Sequence, residues 1–358
     1  MSAANATVDL DDAEGLVEAD REGLLRAAAM AGAQVRATAA AVEEGALESL
    51  ASDQRPRTVI WLAGQGSAES AGAMLIASLG STAGEPIVAA AQAPPWIGPL
   101  DVLIVAGDDP GDPALVSAAA TAVRRGARVL VAAPFEGPLR DATAGRAAVL
   151  APRLWVPDDF ALCRYLAVGL AALSVVDPAI RTDLAALADE LDAEALRNSP
   201  VREVFTNPAK ALAERMSGRR TVLAGDCPGT LALARHGGAT MLRVGGCPVA
   251  AAGLADALIA LRAGASTRFA DPVDALFHDE EIDGPLPGRL RVLALALAAE
   301  RPVLAARIAG IDDVDLVGVE DVGEAGSVPA TTGRAEQQLA TLAVRLETAA
   351  VYLRLAGG

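Results

Sequence analysis

Apolar residues fall into short runs separated by turn residues, and the runs alternate between strand-like and helix-like spacing. Residues 58–63 (Thr-Val-Ile-Trp-Leu-Ala) form a β-branched and apolar stretch of strand length. Gly64-Gln65-Gly66-Ser67-Ala68-Glu69-Ser70 follows as a small-residue turn, then an apolar helix closed by Gly80. Residues 86–90, 101–107 and 127–133 read as further strands, and 113–125 as a helix with Pro113 at a first-turn position. Residues 10–44 read as helical, with Asp20 capping a helix from Arg21 and Leu24, Leu25, Ala28, Ala31 and Val35 on one stripe. Strands and helices alternating at these lengths predict a parallel sheet with helices on both faces.

Residues 158–173 and 180–196 predict two longer helices, and 197–208 a crossover. The pattern then repeats, with strands expected at 221–224, 239–244, 290–295 and 314–319, a Gly/Pro/Thr-rich loop over 320–333, and a closing helix at 334–355. Residues 220–237 rewrite the phrase at 58–80 as Thr-Val-Leu-Ala, then Gly225-Asp226-Cys227-Pro228-Gly229-Thr230, then Leu-Ala-Leu-Ala-Arg-His-Gly. A duplicated α/β design follows, with domains expected at 1–200 and 201–358.

A buried strand entering a helix through a tight Gly/Ser turn leaves backbone N–H groups free at the helix start, where a phosphate can sit. Gly64, Gln65, Gly66 and Ser67 are therefore the candidate ligand-binding residues, Ser67 as cap or as ligand contact. Gly64-Gln65-Gly66 lacks the third glycine of a dinucleotide fingerprint, and no acidic strand end follows at ribose-binding distance.

Composition narrows the partners. The 358 residues carry a formal charge of −16, which argues against nucleic acid and against an anionic membrane surface. With hydrophobic content of 52%, no apolar run reaches membrane-span length without a Pro, Gly or charge. The acidic N-terminus lacks the basic-then-apolar pattern of a signal sequence, so a cytoplasmic protein is expected. Cys163, Cys227 and Cys247 are scattered without a CxxC, and His236 and His278 are the only histidines. Buried thiols in a reducing compartment, no metal site and no cofactor are the corresponding expectations. Lys210 is the only lysine.

The order of several phrases resembles the bifunctional phosphoglucose/phosphomannose isomerase family, built from two sugar-isomerase (SIS) domains, and in particular its divergent TobH-like branch. Residues 11–26 resemble its first helix, 64–68 its glycine-and-serine signature, 94–98 and the strand at 101 its next segment, 207–215 a phrase before its second domain, and Phe277-His278-Asp-Glu-Glu-Ile-Asp-Gly284 its histidine-bearing motif. The resemblance implies two SIS-type α/β domains, a homodimer with sites at the subunit boundary, and aldose–ketose isomerisation of a hexose phosphate. That chemistry needs a phosphate cradle, a carboxylate moving a proton between C1 and C2, and a His or Lys assisting ring opening.

Measured against the family pattern, this chain departs at four places. Ala63 and Gln65 stand where glycines are expected. The Ser-Gly-Asn-Thr turn that holds phosphate in the family is replaced by Gly107-Asp108-Asp109-Pro110-Gly111-Asp112-Pro113. Carboxylates at Asp108, Asp109 and Asp112 repel a phosphate dianion, and the prolines remove N–H donors. Around the position of the family's catalytic Glu the chain reads Leu-Arg-Ala-Gly-Ala-Ser over 261–266, leaving Asp256, Glu280 and Glu281 as nearby carboxylates. The family's C-terminal lysine has no counterpart, and Arg354 does not exchange protons near neutrality. His278 and Glu281 remain the catalytic candidates. The expected function is a sugar-phosphate-binding SIS-domain protein with most catalytic residues missing. The alternatives are a working isomerase with a rearranged site and a non-catalytic regulatory or scaffold partner in mannose metabolism.

Overall fold

In the computed structural model, residues 8–265, 289–321 and 333–357 are described. The chain forms two compact units. One comprises Gly23–Leu196 and Arg334–Val344, the other Met1–Glu22, Arg197–Gly333 and Arg345–Gly358.

The first unit opens with α2 (Leu24–Ala28) and α3 (Ala31–Glu43), after α1 (Ala13–Ala19) of the other unit. It continues as β1 (Thr58–Ala63), α4 (Ser67–Leu79), β2 (Ile87–Ala90), β3 (Asp101–Ala106), α5 (Pro113–Arg124), β4 (Arg128–Ala132), α6 (Gly137–Thr143), β5 (Ala148–Val149), α7 (Leu162–Val176) and α8 (Leu184–Arg197). The strands are parallel in the order β2-β1-β3-β4-β5. β1 and β3 pair in register from Thr58 opposite Asp101 to Ala63 opposite Ala106. Both strands are buried nearly end to end, as apolar strands covered on both faces must be.

Side-chain alternation sorts the two faces. Ile60, Leu62, Leu103 and Val105 pack with Leu115, Ala118, Ala119 and Ala122 of α5. Trp61 meets α4 and α7 on the opposite face. Glycines let α4 lie close on the sheet and α7 close on α4. A Cβ on Gly72 would lie 2.2 Å from Trp61 Cδ1, and one on Gly169 would lie 2.2 Å from Leu75 Cδ1. The chain leaves β1 for β2 on one side and then crosses to β3 on the other. That reversal puts a crevice at the carboxyl ends of β1 and β3, where open α/β sheets bind ligands.

The second unit repeats the plan with α9 (Pro208–Met216), β6 (Arg220–Gly225), α10 (Pro228–Arg243), β7 (Ala250–Gly253), α11 (Leu254–Ala260), β8 (Leu290–Leu295), α12 (Arg301–Ile308) and β9 (Val314–Val317). Its strands are also parallel, ordered β7-β6-β8-β9. Val222, Ala224, Val292 and Ala294 pack with Leu254, Leu258, Leu261 and Leu304. The closing helix α13 (Ala335–Gly357) supplies residues to both units. The expected class, two α/β domains with parallel sheets flanked by helices, is the class observed.

Three local expectations are corrected. Residues 239–244 are the end of α10, not a strand, and the edge strand is β7. The short apolar run Ala-Thr-Met-Leu-Arg-Val fits either period, and Gly246 ends the helix at φ +61° while Cys247 N–H donates to Met241 C=O. Asp20 closes α1 instead of starting a helix, and Gly23 at φ +69° is the N-cap of α2. Residues 158–160 form a separate 3₁₀ turn ahead of α7.

Candidate functional site

Two glycine-ended turns lie side by side at the carboxyl ends of β1 and β3. Gly64 N–H donates to Ala106 C=O at 2.9 Å, and Gly107 N–H donates to Ala132 C=O at 3.4 Å. A Cβ on Gly64 would stand 3.8 Å from Gly107 Cα and 3.9 Å from Asp112 Oδ2. Gly66, at φ +89° and ψ −134°, takes a backbone conformation that side chains disfavour and is the N-cap of α4. It has no side chain to accept a hydrogen bond, and the first helical bond runs from Ser70 N–H to Gly66 C=O. The N–H groups of the opening turn of α4 therefore face the crevice mouth with the positive end of the helix dipole.

Ser67 is the first helical residue and not the cap. Its buried hydroxyl donates to Asp158 C=O at 2.7 Å, tying the β1–α4 turn to the 3₁₀ turn. Gln65 is exposed. Across the crevice, Asp109 Oδ1 accepts Gly111 N–H at 2.7 Å and Asp112 Oδ1 accepts Ala114 N–H at 2.8 Å. Asp112 caps α5, with Pro113 following it. Two of the three turn carboxylates thus hold their own loop and helix, and Asp108 stands exposed beside them. Gly64 lies beside Gly107 and Asp112 of the acidic turn, and Gln65, Gly66 and Ser67 follow it in the same loop and helix start. His278 and Glu281 lie outside the described residues, as does Glu280. Asp256 sits in the first turn of α11 in the other unit.

The structure adds three residues that sequence reasoning missed. Asp158 Oδ2 lies 3.5 Å from where a Cβ on Gly66 would be, beside the start of α4. Tyr165 is fully buried, and among the described residues its hydroxyl has no hydrogen-bond partner. Burial raises its phenol well above the ordinary value, Arg164 opposes the rise, and the carboxylates of Asp158 and Asp108 add to it. The Arg164 guanidinium stacks 4.0 Å from the Tyr165 ring centre, and its Nη1 is buried without a partner. The signal was present in the sequence: Arg164-Tyr165 interrupts an otherwise apolar helical run just after an acidic pair.

The repeated turn in the second unit closes on itself. Thr230 Oγ1 accepts Asp226 and Cys227 N–H at 3.1 and 3.2 Å, and Cys227 Sγ accepts Thr230 N–H at 3.4 Å. A Cβ on Gly225 would lie 2.2 Å from Leu231 N, so α10 presses directly on the strand end. His236 is buried and pairs with Glu347 at 2.9 Å. Lys210 donates to Pro200 and Arg202 C=O, each at 2.7 Å, and lies 5.6 Å from the Tyr352 ring. Burial lowers its pKa, against the opposing charges of Asp11 and Asp9. The single lysine is thus a staple of the crossover segment. Among the described residues no group of three or more His, Cys, Asp or Glu is placed to hold a metal ion. No helix of the described residues is long and apolar enough to cross a membrane.

No protein-family model matches the chain, and no curated protein matches it. Solved structures do. Tagatose-6-phosphate ketose/aldose isomerase from Escherichia coli aligns with TM-score 0.60 and 17% identity over 100% of this chain and 96% of its own. A glucose-6-phosphate isomerase-like protein from Thermus thermophilus aligns with TM-score 0.53 and 20% identity over 98% and 94%. The C-terminal domain of glucosamine-fructose-6-phosphate aminotransferase from Francisella tularensis aligns with TM-score 0.56 and 9% identity over 99% and 98%. Likeness at such identities over nearly whole chains is a likeness of fold, and the fold is that of paired SIS-type α/β domains.

Proposed function

We propose that the chain is a sugar-phosphate-binding SIS-domain protein, a divergent relative of the phosphoglucose/phosphomannose isomerases on their TobH-like branch, with weak isomerase activity or none. The ligand is a hexose phosphate or a similar small polar molecule, seated between the β1–α4 and β3–α5 turns. The protein acts as a homodimer in the cytoplasm. The observation that carries the reading is the pair of abutting glycine turns at Gly64 and Gly107, with the uncapped N-terminus of α4 opening between them. The names of the structural neighbours, isomerases of tagatose 6-phosphate and a glucose-6-phosphate isomerase-like protein, support the same ligand class.

The acidic β3–α5 turn supports the loss of turnover. Its carboxylates replace the hydroxyls that a tight phosphate cradle needs, and two of them, Asp109 and Asp112, are committed to Gly111 and Ala114. A coupled isomerase assay with mannose 6-phosphate and glucose 6-phosphate, beside His278→Ala, tests the reading together with titration calorimetry on the same preparation. Binding in the micromolar-to-millimolar range without turnover above background is the expected result. Turnover abolished by His278→Ala would replace the reading with a rearranged isomerase. Absence of both binding and turnover would turn the search to protein partners. Light scattering on that sample reads the dimer mass.

A further inference from the structure

We propose that Asp158 is the specificity-determining group of the β1–α4 seat, an internal carboxylate that competes with an incoming ligand anion for the start of α4. The inference rests on the reading that this turn is the ligand seat.

Four observations support it. α4 is 13 residues long and its N-cap, Gly66, offers no side-chain acceptor, so the positive pole of the helix is left to other groups. Asp158 Oδ2 lies beside that pole, 3.5 Å from the Cβ position of Gly66. The backbone of Asp158 is pinned from both sides. Ser67 Oγ and Ala161 N–H donate to its C=O at 2.7 and 3.1 Å, and Gln34 Nε2 donates to Phe160 C=O at 2.9 Å in the same turn. The carboxylate is therefore presented by a fixed loop and does not sample the space freely. Finally, Tyr165 keeps a buried hydroxyl with no hydrogen-bond partner among the described residues, and the carboxylates of Asp158 and Asp108 act on it electrostatically.

A phosphate dianion entering this seat meets a carboxylate already favoured by the same helix end, and two like charges cannot share it without cost. Removing the charge while keeping the shape should release the seat. The Ser67 bond goes to the backbone carbonyl and survives a side-chain change, so the loop retains its anchor.

The test uses the full chain as wild type, Asp158→Asn, Asp158→Ala and Asp158→Glu, with circular dichroism and thermal midpoints to establish folding. Calorimetry is run with inorganic phosphate, glucose 6-phosphate and glucose. The expected result is that Asp158→Asn and Asp158→Ala bind both phosphates about tenfold tighter or more, that Asp158→Glu stays near wild type, and that glucose affinity moves less than about twofold. Phosphate affinity unchanged or weakened in both neutral variants would overturn the inference, and so would an equal gain for glucose. The two readings separate cleanly. A wild type that binds hexose phosphate with no gain in the variants refutes the role of Asp158 alone. A wild type that binds none, with binding gained in Asp158→Asn, upholds that role and refutes the proposed ligand of the native chain. No binding by any form overturns both.

Discussion

Gly72 sits in the interior of α4, where alanine is ordinarily better than glycine by about 1 kcal/mol. Here the sign should reverse. A methyl group at Gly72 would fall 2.2 Å from Trp61 Cδ1 and 2.3 Å from Trp61 Nε1, so the buried indole has to move. Overpacking of that kind costs about 1–3 kcal/mol. Moving the indole also breaks its 3.0 Å hydrogen bond to Ala68 C=O, and a donor left unsatisfied in the core costs about 1–3 kcal/mol more. After subtracting the helix-propensity gain, Gly72→Ala should destabilise the first unit by about 1–5 kcal/mol. For a unit of this size that is a fall in thermal midpoint of about 2–20 °C. Urea unfolding followed by tryptophan emission is well suited, because Trp96 and Trp155 are exposed and the buried signal belongs to Trp61. Trp61→Phe removes the N–H and much of the clash, so in that background, followed by circular dichroism because the buried indole signal is gone, Gly72→Ala should cost less than half as much. A Gly72→Ala protein as stable as wild type would refute the claim that glycine is there to let α4 lie on the indole. Since α4 opens at the ligand seat, the same variant should also weaken hexose phosphate binding.

Two further outcomes are expected. Asp112→Ala should lose about 1 kcal/mol through the missing cap of α5, while Asp112→Asn should lose under about 0.5 kcal/mol, read by urea midpoints. Glu85 is buried with neither carboxyl oxygen hydrogen-bonded among the described residues, and burial followed by the nearby Asp177 raises its pKa against the pull of Arg55 and Arg128. A carboxyl whose folded pKa exceeds its unfolded value contributes fully below the unfolded pKa, and that contribution is lost as pH rises through the folded one. Glu85→Gln should therefore match wild type near pH 4 and exceed it in stability above the raised pKa. Parallel stability-versus-pH curves for the two proteins would contradict this account of Glu85.

Strands β1, β3, β4, β6 and β8 were legible because burial on both faces forces unbroken β-branched and apolar runs, and glycine or proline marks their ends. The run at 239–244 was misread because an apolar hexapeptide satisfies both periods, and only packing decides between them. Gly245 shows that packing: a Cβ there would lie 3.2 Å from Ala350 C=O, so α10 ends against α13. The β1–α4 and β3–α5 turns were legible as neighbours because glycine at both strand ends announces close backbone approach. The polar break at Arg164-Tyr165 was visible in the sequence, but where Asp158 and Tyr165 land was not, since they arrive from nearly a hundred residues downstream. No local pattern says that the loop after β5 folds back over α4. The acidic turn was read as hostile to phosphate. The structure adds that Asp109 and Asp112 earn their places as loop and helix caps.

The division of α13 has a consequence for how the protein is made. The first unit needs residues Arg334–Val344, which follow Leu196 by roughly 140 residues. Leu339, Ala340, Leu342, Ala343 and Val344 are all fully buried in the finished protein. A ribosome adding about 5–20 residues per second delivers them about 7–28 s after Leu196, so the emerging sheet waits with part of its helical cover missing. Neither unit is complete until the last helix has been translated. A fragment ended near residue 200 would be frozen in that waiting state, with apolar surface open to aggregation.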